Sequence, residues 1–492
     1  MSKIFTELDK LFNMESVAII GASGSFNKTG TAILFSIIAG GFKGTIYPIN
    51  PKEKEIFGIK TYENLKSTPT KIDLAIICIR AEIVPQVIKE CSEADIGYCI
   101  VISAGFGEVN EEGKELEKEV LEAAKMTGMR ILGPNCMGIM NSDINFYALM
   151  NMLIPIPGNA SIISQSGTIG SLSCIYGSEQ RVGFNKYISI GNSIDLDTED
   201  FIEYLTYDNQ TKIISVFIEG IKNGKRFIEV AKKASKKKPL IVLKGGVTEA
   251  GARAAISHTG SLAGSSDIYD AAVKQTGIIQ ASCEKEMVDL IKAFSLLSLP
   301  KGRNVGITGV WGGLGVLTSD ACSREGLIIP ELSRESIEEL NEHLPPIWSH
   351  GNPVDITGAG FGGSFNMLLK PIEVLLRDQN IDILIAMVPA LGSFFTKIVP
   401  RMEPAIAEYF SKTSMGSMAN QEMQMAKDII EIKKRYDKPI LSILIGFYGQ
   451  DKTDHINFLE DNGIPVFESS QQAARVISKM ITYKEFLEKV GI

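Results

Sequence analysis

The amino-acid sequence predicts an α/β protein built from three doubly wound segments with parallel sheets. Its 492 residues correspond to about three domains at roughly 100–200 residues each. Short β-branched runs alternate with helical stretches throughout, the pattern of a parallel sheet covered by helices on both faces. That pattern restarts three times, at residues 17–24, 160–168 and 305–315, each time with a strand that runs into a loop of small residues.

The N-terminus places Phe5, Leu8, Leu11 and Phe12 among Glu7, Asp9 and Lys10. This spacing predicts a short amphipathic helix and differs from a signal peptide. Hydrophobic residues make up 45% and charged residues 22% of the chain, as in ordinary globular proteins. No apolar run approaches the ~18 residues of a membrane span, so no membrane partner and a cytoplasmic location are expected. The seven cysteines are scattered and contain no CxxC pair, so no zinc or redox centre and no metal ligands are predicted. A net charge of -8 argues against sequence-independent nucleic-acid binding. The lysines between Lys232 and Lys238 read as complements of a helix dipole.

The first segment, residues 1–150, has expected strands at 17–20, 44–47, 73–77, 98–102 and 130–132. Gly21, Ala22, Ser23 and Gly24 follow the first strand, where backbone NH groups can approach a phosphate at a helix start. After the second strand a nicotinamide site usually has an acidic residue that holds the ribose. Here Pro51 and Lys52 follow Asn50. A cation suits a phosphorylated nucleotide such as coenzyme A, with a solvated turn lysine as the plainer alternative. Ser103 and Ala104, and Asn135 after Gly133-Pro134, end later strands on the same edge and are further candidate CoA contacts.

The second segment, residues 151–300, has expected strands at 160–164, 187–190, 213–218 and 240–244. Gln165, Ser166, Gly167 and Thr168 begin a helix whose NH groups and dipole suit an anion, although Ser166 or Thr168 could simply cap it. Glu219 ends the third strand, and His258 follows the fourth among Ser257, Thr259, Gly260, Ser261 and Gly264. Such small neighbours predict a mobile loop carrying a nucleophilic histidine. Glu219 on the same sheet edge would accept one imidazole NH and free the other nitrogen to attack phosphorus. The plainer alternative is a solvated carboxylate and a solvated loop histidine. No GxxxxGK[ST] motif occurs, so the phosphoryl source must lie elsewhere.

The third segment, residues 301–492, repeats the strand and glycine loop at 305–315, with Trp311 inside it, and has expected strands at 383–388 and 439–445. Asn352 and Pro353 mark a turn. Met415, Met418, Met423 and Met425 read as adaptable packing or a partner surface.

Taken together, residues 17–23, 47–51, 133–136, 164–167, 191–192 and 257–260 form six ordered motifs across nearly the whole chain. With them the sequence resembles the NDP-forming acyl-CoA synthetase superfamily, in particular the α subunits of ADP-forming acetyl-CoA synthetases and more distantly that of succinyl-CoA synthetase. The resemblance implies a Rossmann-like CoA-binding domain followed by two flavodoxin-like ligase domains. It implies reversible conversion of acyl-CoA, ADP and phosphate to carboxylate, CoA and ATP, through an acyl phosphate and phosphorylated His258 stabilised by Glu219. Gln165 to Thr168 would hold phosphate, and Ala22, Ser23, Lys52, Ser103 and Asn135 would surround CoA. An ATP-grasp β subunit would bind most of the ADP or ATP with its Mg, in an α2β2 hetero-oligomer, and glycines 245, 246, 251, 260 and 264 would let the histidine loop swing. Arg80, Trp311 and residues 145–150 depart from the familiar pattern, which leaves the acid substrate open. A non-catalytic CoA-binding regulatory or acyl-carrying module is the rival reading, and a nicotinamide-dependent dehydrogenase the second.

Overall fold

The computed structural model describes residues 2–259, 266–356, 365–392, 399–412, 418–445 and 453–492. It contains three large sheets in two compact units, residues 1–291 and 292–492. All three share one strand order in their parallel part, with the first strand between the second and third.

In the first sheet the order is Thr45–Ile49, Ser16–Ile20, Leu74–Ile77, Tyr98–Val101, Arg130–Leu132. The apolar runs are buried on both faces, as parallel strands between helices must be; all five residues of Ser16–Ile20 are buried. In the second sheet Pro157–Ser164 lies between Phe184–Ser189 and Ile213–Ile218, followed by Leu240–Lys244 and Ile279–Ala281.

That second sheet has two more strands than the sequence predicts. Gly138–Asn141 pairs antiparallel with Phe184–Ser189, and Phe146–Leu149 pairs antiparallel with Gly138–Asn141. A sequence boundary at residue 150 therefore gives the first segment a hairpin that belongs to the second sheet. Local periodicity cannot reveal this, because the pairing is with residues far along the chain. Lys186 helps hold the junction: its buried ammonium donates to Asp208 at 2.9 Å and to Asp143 at 3.3 Å.

The helix Lys3–Phe12 forms as its apolar spacing predicts and joins the first two sheets into one unit. Its Phe5 and Phe12 rings stack on Tyr204 at 5.4 and 4.7 Å between centroids. Arg130, at the start of an outer strand, pairs with Glu7 of this helix and with Asp195 at 2.9 Å. One continuous apolar core consequently runs through both sheets.

The second unit holds Val354–Asp355, Val305–Gly309, Ile383–Pro389, Ile440–Ile445 and Val466–Phe467 in that order. The Asn352 side chain serves this sheet: it accepts from Ile307 N at 3.0 Å and donates to the Val305 and Pro330 carbonyls. Met425 is part of the core, whereas Met415 lies outside the described residues.

Candidate active site

In a doubly wound sheet ligands bind beyond the carboxyl ends of the strands, where the order reverses. At that point in the first sheet, strand Ser16–Ile20 runs into Gly21, which has φ +89°, a backbone conformation that disfavours other residues. Helix Thr29–Gly40 then starts directly against the loop: a Cβ on Gly30 would lie 2.2 Å from the Gly21 carbonyl oxygen. Asn50, after the second strand, donates to the Ala22 carbonyl at 2.8 Å and fixes the two turns together.

These turns border a cavity of about 1080 Å³. Gly21, Ala22, Ser23, Lys52, Ser103, Ala104 and Asn135 all line it, and so do Gln165, Ser166, Gly167 and Thr168. The structure thus brings the two predicted anion-binding groups, from different sheets of one unit, onto a single concave surface. Lys28 and Arg80 add two cations that sequence reasoning did not assign to the site. Ser103 also has a structural task, since its hydroxyl donates to the Ile79 carbonyl at 2.5 Å.

An acidic residue does follow the second strand, one position beyond Lys52. The Glu53 carboxylate accepts from Ser23 Oγ at 3.1 Å, from Gly24 N at 3.1 Å and from Asn50 Nδ2 at 3.2 Å. It is used within the protein to brace the glycine loop. The expectation that this turn lacks an acidic residue is therefore corrected, because the carboxylate sits one residue later.

Ser166 caps the helix Gly167–Glu179, its hydroxyl accepting from Ile169 N at 3.4 Å. Capping and an anion site coexist here, since one side-chain acceptor satisfies only one of the helix's first NH groups. Gln165 reaches the neighbouring strand. Its Oε1 accepts from the backbone NH groups of Glu219 at 2.5 Å and Gly220 at 3.0 Å, and its Nε2 donates to the Gly220 carbonyl at 2.8 Å. Lys244, on the adjacent strand, donates to the Glu219 carbonyl at 2.7 Å. Burial lowers the Lys244 pKa, and the charge of Glu219 works against that shift.

Glu219 lines a second cavity of about 600 Å³ with Gly191, Asn192 and Lys222, and Asn135 and Gln165 line both cavities. Asn192 donates to Glu108 and Glu117, each at 2.7 Å. Burial disfavours the Glu108 charge, but the bonds from Asn192, Gly105 and Phe106 outweigh it and hold its pKa below the usual carboxylate value.

Strand Leu240–Lys244 pairs with Ile213–Ile218, the adjacency expected from the βαβ connection between Glu219 and the histidine segment. The segment itself differs from the expected loop. Residues Glu249–Thr259 form a helix with His258 in its last turn, because Ala250, Ala252, Ala254 and Ala255 favour helix more than Gly251 opposes it. The His258 side chain, and residues 260–265 with Gly260 and Gly264, lie outside the described residues.

Cys78 and Cys136 also line the larger cavity. Burial raises the Cys78 pKa far above the thiol's ordinary value and pushes that of Cys136 up to about 12. Neither is a thiolate at neutral pH, which disfavours an acyl group carried on a protein sulfur. Among the described residues, no group of three or more His, Cys, Asp or Glu could hold a metal ion, and no helix is long and apolar enough to cross a membrane.

Comparison with known proteins follows the same three-part division. Residues 15–142 match a CoA binding domain, 157–294 a succinyl-CoA ligase like flavodoxin domain, and 304–479 a ligase-CoA domain. The α subunit of ADP-forming acetate–CoA ligase II from Pyrococcus furiosus is 41% identical, with 95% of this chain and 96% of that protein covered. The corresponding α subunit of ligase I from the same organism is 37% identical, over 98% and 99%. A solved structure described as a dinucleotide forming acetyl-coenzyme A synthetase 1 from Ca. Korarchaeum cryptofilum, in complex with phosphate and ADP, superposes with a TM-score of 0.84. It shares 31% identity, with 99% of each chain covered. Longer relatives also match, and this chain covers between 49% and 67% of their length.

Proposed function

The chain belongs to the family of ADP-forming acetate–CoA ligase α subunits, and we propose that it acts as an acid–thiol ligase working with an ATP-grasp β subunit. The reaction is reversible: acyl-CoA, ADP and phosphate yield carboxylate, CoA and ATP. One observation carries this reading most directly. A single cavity is lined by both the glycine-loop residues and the helix start Gln165–Thr168, so a CoA thioester and a phosphate could meet in it.

In the forward direction a phosphate oxygen attacks the thioester carbonyl, and CoA leaves as a thiolate that takes up a proton. An imidazole nitrogen of His258 then attacks phosphorus and releases the carboxylate. Finally the β-phosphate of ADP on the partner takes the phosphoryl group. Gly21, Ala22, Ser23, Lys52, Ser103, Ala104 and Asn135 bind CoA, and Gln165, Ser166, Gly167 and Thr168 receive the phosphate. Glu219 stabilises the histidine as it becomes cationic. Positioning, together with the fixed helix dipole and NH groups, supplies most of the catalysis.

Within this scheme residues 1–150 are the CoA-binding part, 151–300 the part carrying the phosphohistidine, and 301–492 the second ligase part, in an α2β2 assembly. Longer relatives, of which this chain is only a portion, support a separately encoded partner. Seven free cysteines fit a reducing cytoplasm. The test is incubation with labelled ATP and the ATP-grasp partner, which should place an acid-labile, base-stable phosphate on the chain. Retention of that label by His258→Ala would overturn the assignment.

A further inference from the structure

The larger cavity extends across the carboxyl edge of the first sheet. Lys52 follows the outer strand Thr45–Ile49, and Met137 follows the opposite outer strand Arg130–Leu132. Four strand spacings separate these strands, roughly 19 Å in all. The cations lining the cavity, Lys28, Lys52 and Arg80, come from the turns after the first three strands in sequence. The far end is lined by Cys136, Met137, Met150 and the helix start Gln165–Thr168. Sulfur and apolar surface are thus concentrated where the phosphate receptor lies.

Backbone bonds fix the two methionines. Met150 N donates to the Met137 carbonyl at 3.1 Å, and Met137 N donates to Ser189 Oγ at 2.9 Å. The Met137 side chain lies directly on Gly167, where an added Cβ would come 2.0 Å from Met137 Cγ. Any acyl phosphate held by the helix start therefore has this thioether as its immediate neighbour. Met150 is 36% exposed and lines the same cavity. Methionine is unbranched and polarisable, so it adapts to apolar chains of differing shape.

We infer that Met137 and Met150 form the wall that receives the acyl chain and determine the acid class: apolar monocarboxylic acids. This rests on reading the cavity as the CoA site. A dicarboxylic acid is rejected, because its second carboxylate would lose water against thioethers with the lining cations on other strand ends. Each buried methylene is worth about 0.8 kcal/mol, so a chain a few carbons long gains roughly tenfold or more in affinity.

The inference is tested by calorimetric titration of the full chain with CoA, acetyl-CoA, butanoyl-CoA and succinyl-CoA. Failure of all four to bind would refute the CoA site itself. With CoA bound, butanoyl-CoA should bind about tenfold tighter than CoA, and succinyl-CoA no tighter than CoA. Equal affinities, or succinyl-CoA binding tighter than butanoyl-CoA, would overturn the acyl wall while leaving the CoA site standing. Met137→Ala and the surface-tolerant Met150→Ala should each lower the butanoyl-CoA to CoA affinity ratio severalfold, and Met137→Leu should largely restore it. A ratio unchanged in both alanine variants also overturns the inference.

Discussion

Gln165 holds the peptide between Glu219 and Gly220 from both sides, accepting from both NH groups and donating to the Gly220 carbonyl. The first residue of the phosphate receptor and the backbone of the proposed histidine partner are therefore one rigid element. Whatever displaces one displaces the other.

Gln165→Leu should therefore impair phosphoryl transfer more than CoA binding. It removes three hydrogen bonds, each worth about 1 kcal/mol net, and lets Glu219 drift. Phosphoenzyme yield from labelled ATP and the partner is expected to fall about 100-fold, while the calorimetric CoA affinity changes little. An undiminished yield would show that the clamp is not needed.

Glu219→Gln keeps the shape of the side chain and removes its charge. We expect phosphoenzyme formation to drop roughly tenfold or more, in line with loss of one charge-stabilised hydrogen bond, with CoA affinity nearly unchanged. If both decline in equal proportion, the residue supports folding and not the histidine.

Gly30→Ala forces a methyl group to within 2.2 Å of the Gly21 carbonyl oxygen, with backbone on both sides. It should lower the urea midpoint by the equivalent of about 2 kcal/mol or more and weaken CoA binding in parallel. Gly224, which opens helix Gly224–Ser235, has nothing within 4 Å of an added Cβ. Gly224→Ala should be neutral or slightly stabilising, by about 0.5 kcal/mol. Similar midpoints for the two variants would contradict the packing described.

The second unit contains a pH-dependent pair. Glu422 Oε1 accepts from Leu391 N at 2.6 Å and Gly392 N at 3.1 Å. His455 Nε2 donates to the Pro389 carbonyl at 3.0 Å, so Nδ1 accepts from Thr453 Oγ1 at 2.9 Å and lies 3.6 Å from Glu422 Oε2. Burial pushes Glu422 up to about 7 and His455 down to about 4. Since the folded Glu422 value exceeds the unfolded one, its stabilising contribution is complete below about pH 4 and is lost as pH rises through 7. His455 acts in the opposite sense, costing stability as pH falls from about 6.5 to 4. Glu422→Gln removes only the first effect, so it should raise thermal stability at pH 8 by up to about 3 kcal/mol and by much less at pH 5. Equal effects at both values would rule out a buried ionising carboxylate.

Much of this fold is legible in the sequence because its long strands are buried on both faces and read as β-branched runs. Val354–Asp355, Val466–Phe467 and Ile279–Ala281 escape detection, being only two or three residues long. The CoA residues are legible as a set because topology sends every strand's carboxyl end to one edge. Met137 and Met150 are not, since an apolar residue beside a strand looks like core until the cavity is seen. The helix around His258 was hidden by its small residues, which suggest a loop but include four alanines.

The hairpin 138–149 also bears on how the polypeptide can be divided. It covers strand Phe184–Ser189, which would otherwise be an open, wholly buried-type edge ready to pair with another molecule. A fragment that starts after residue 150 would expose that edge and should aggregate, and one that ends there would carry an unmatched ribbon. Any exchange of the CoA-binding part between relatives has to cut before Gly138, not in the apparent linker.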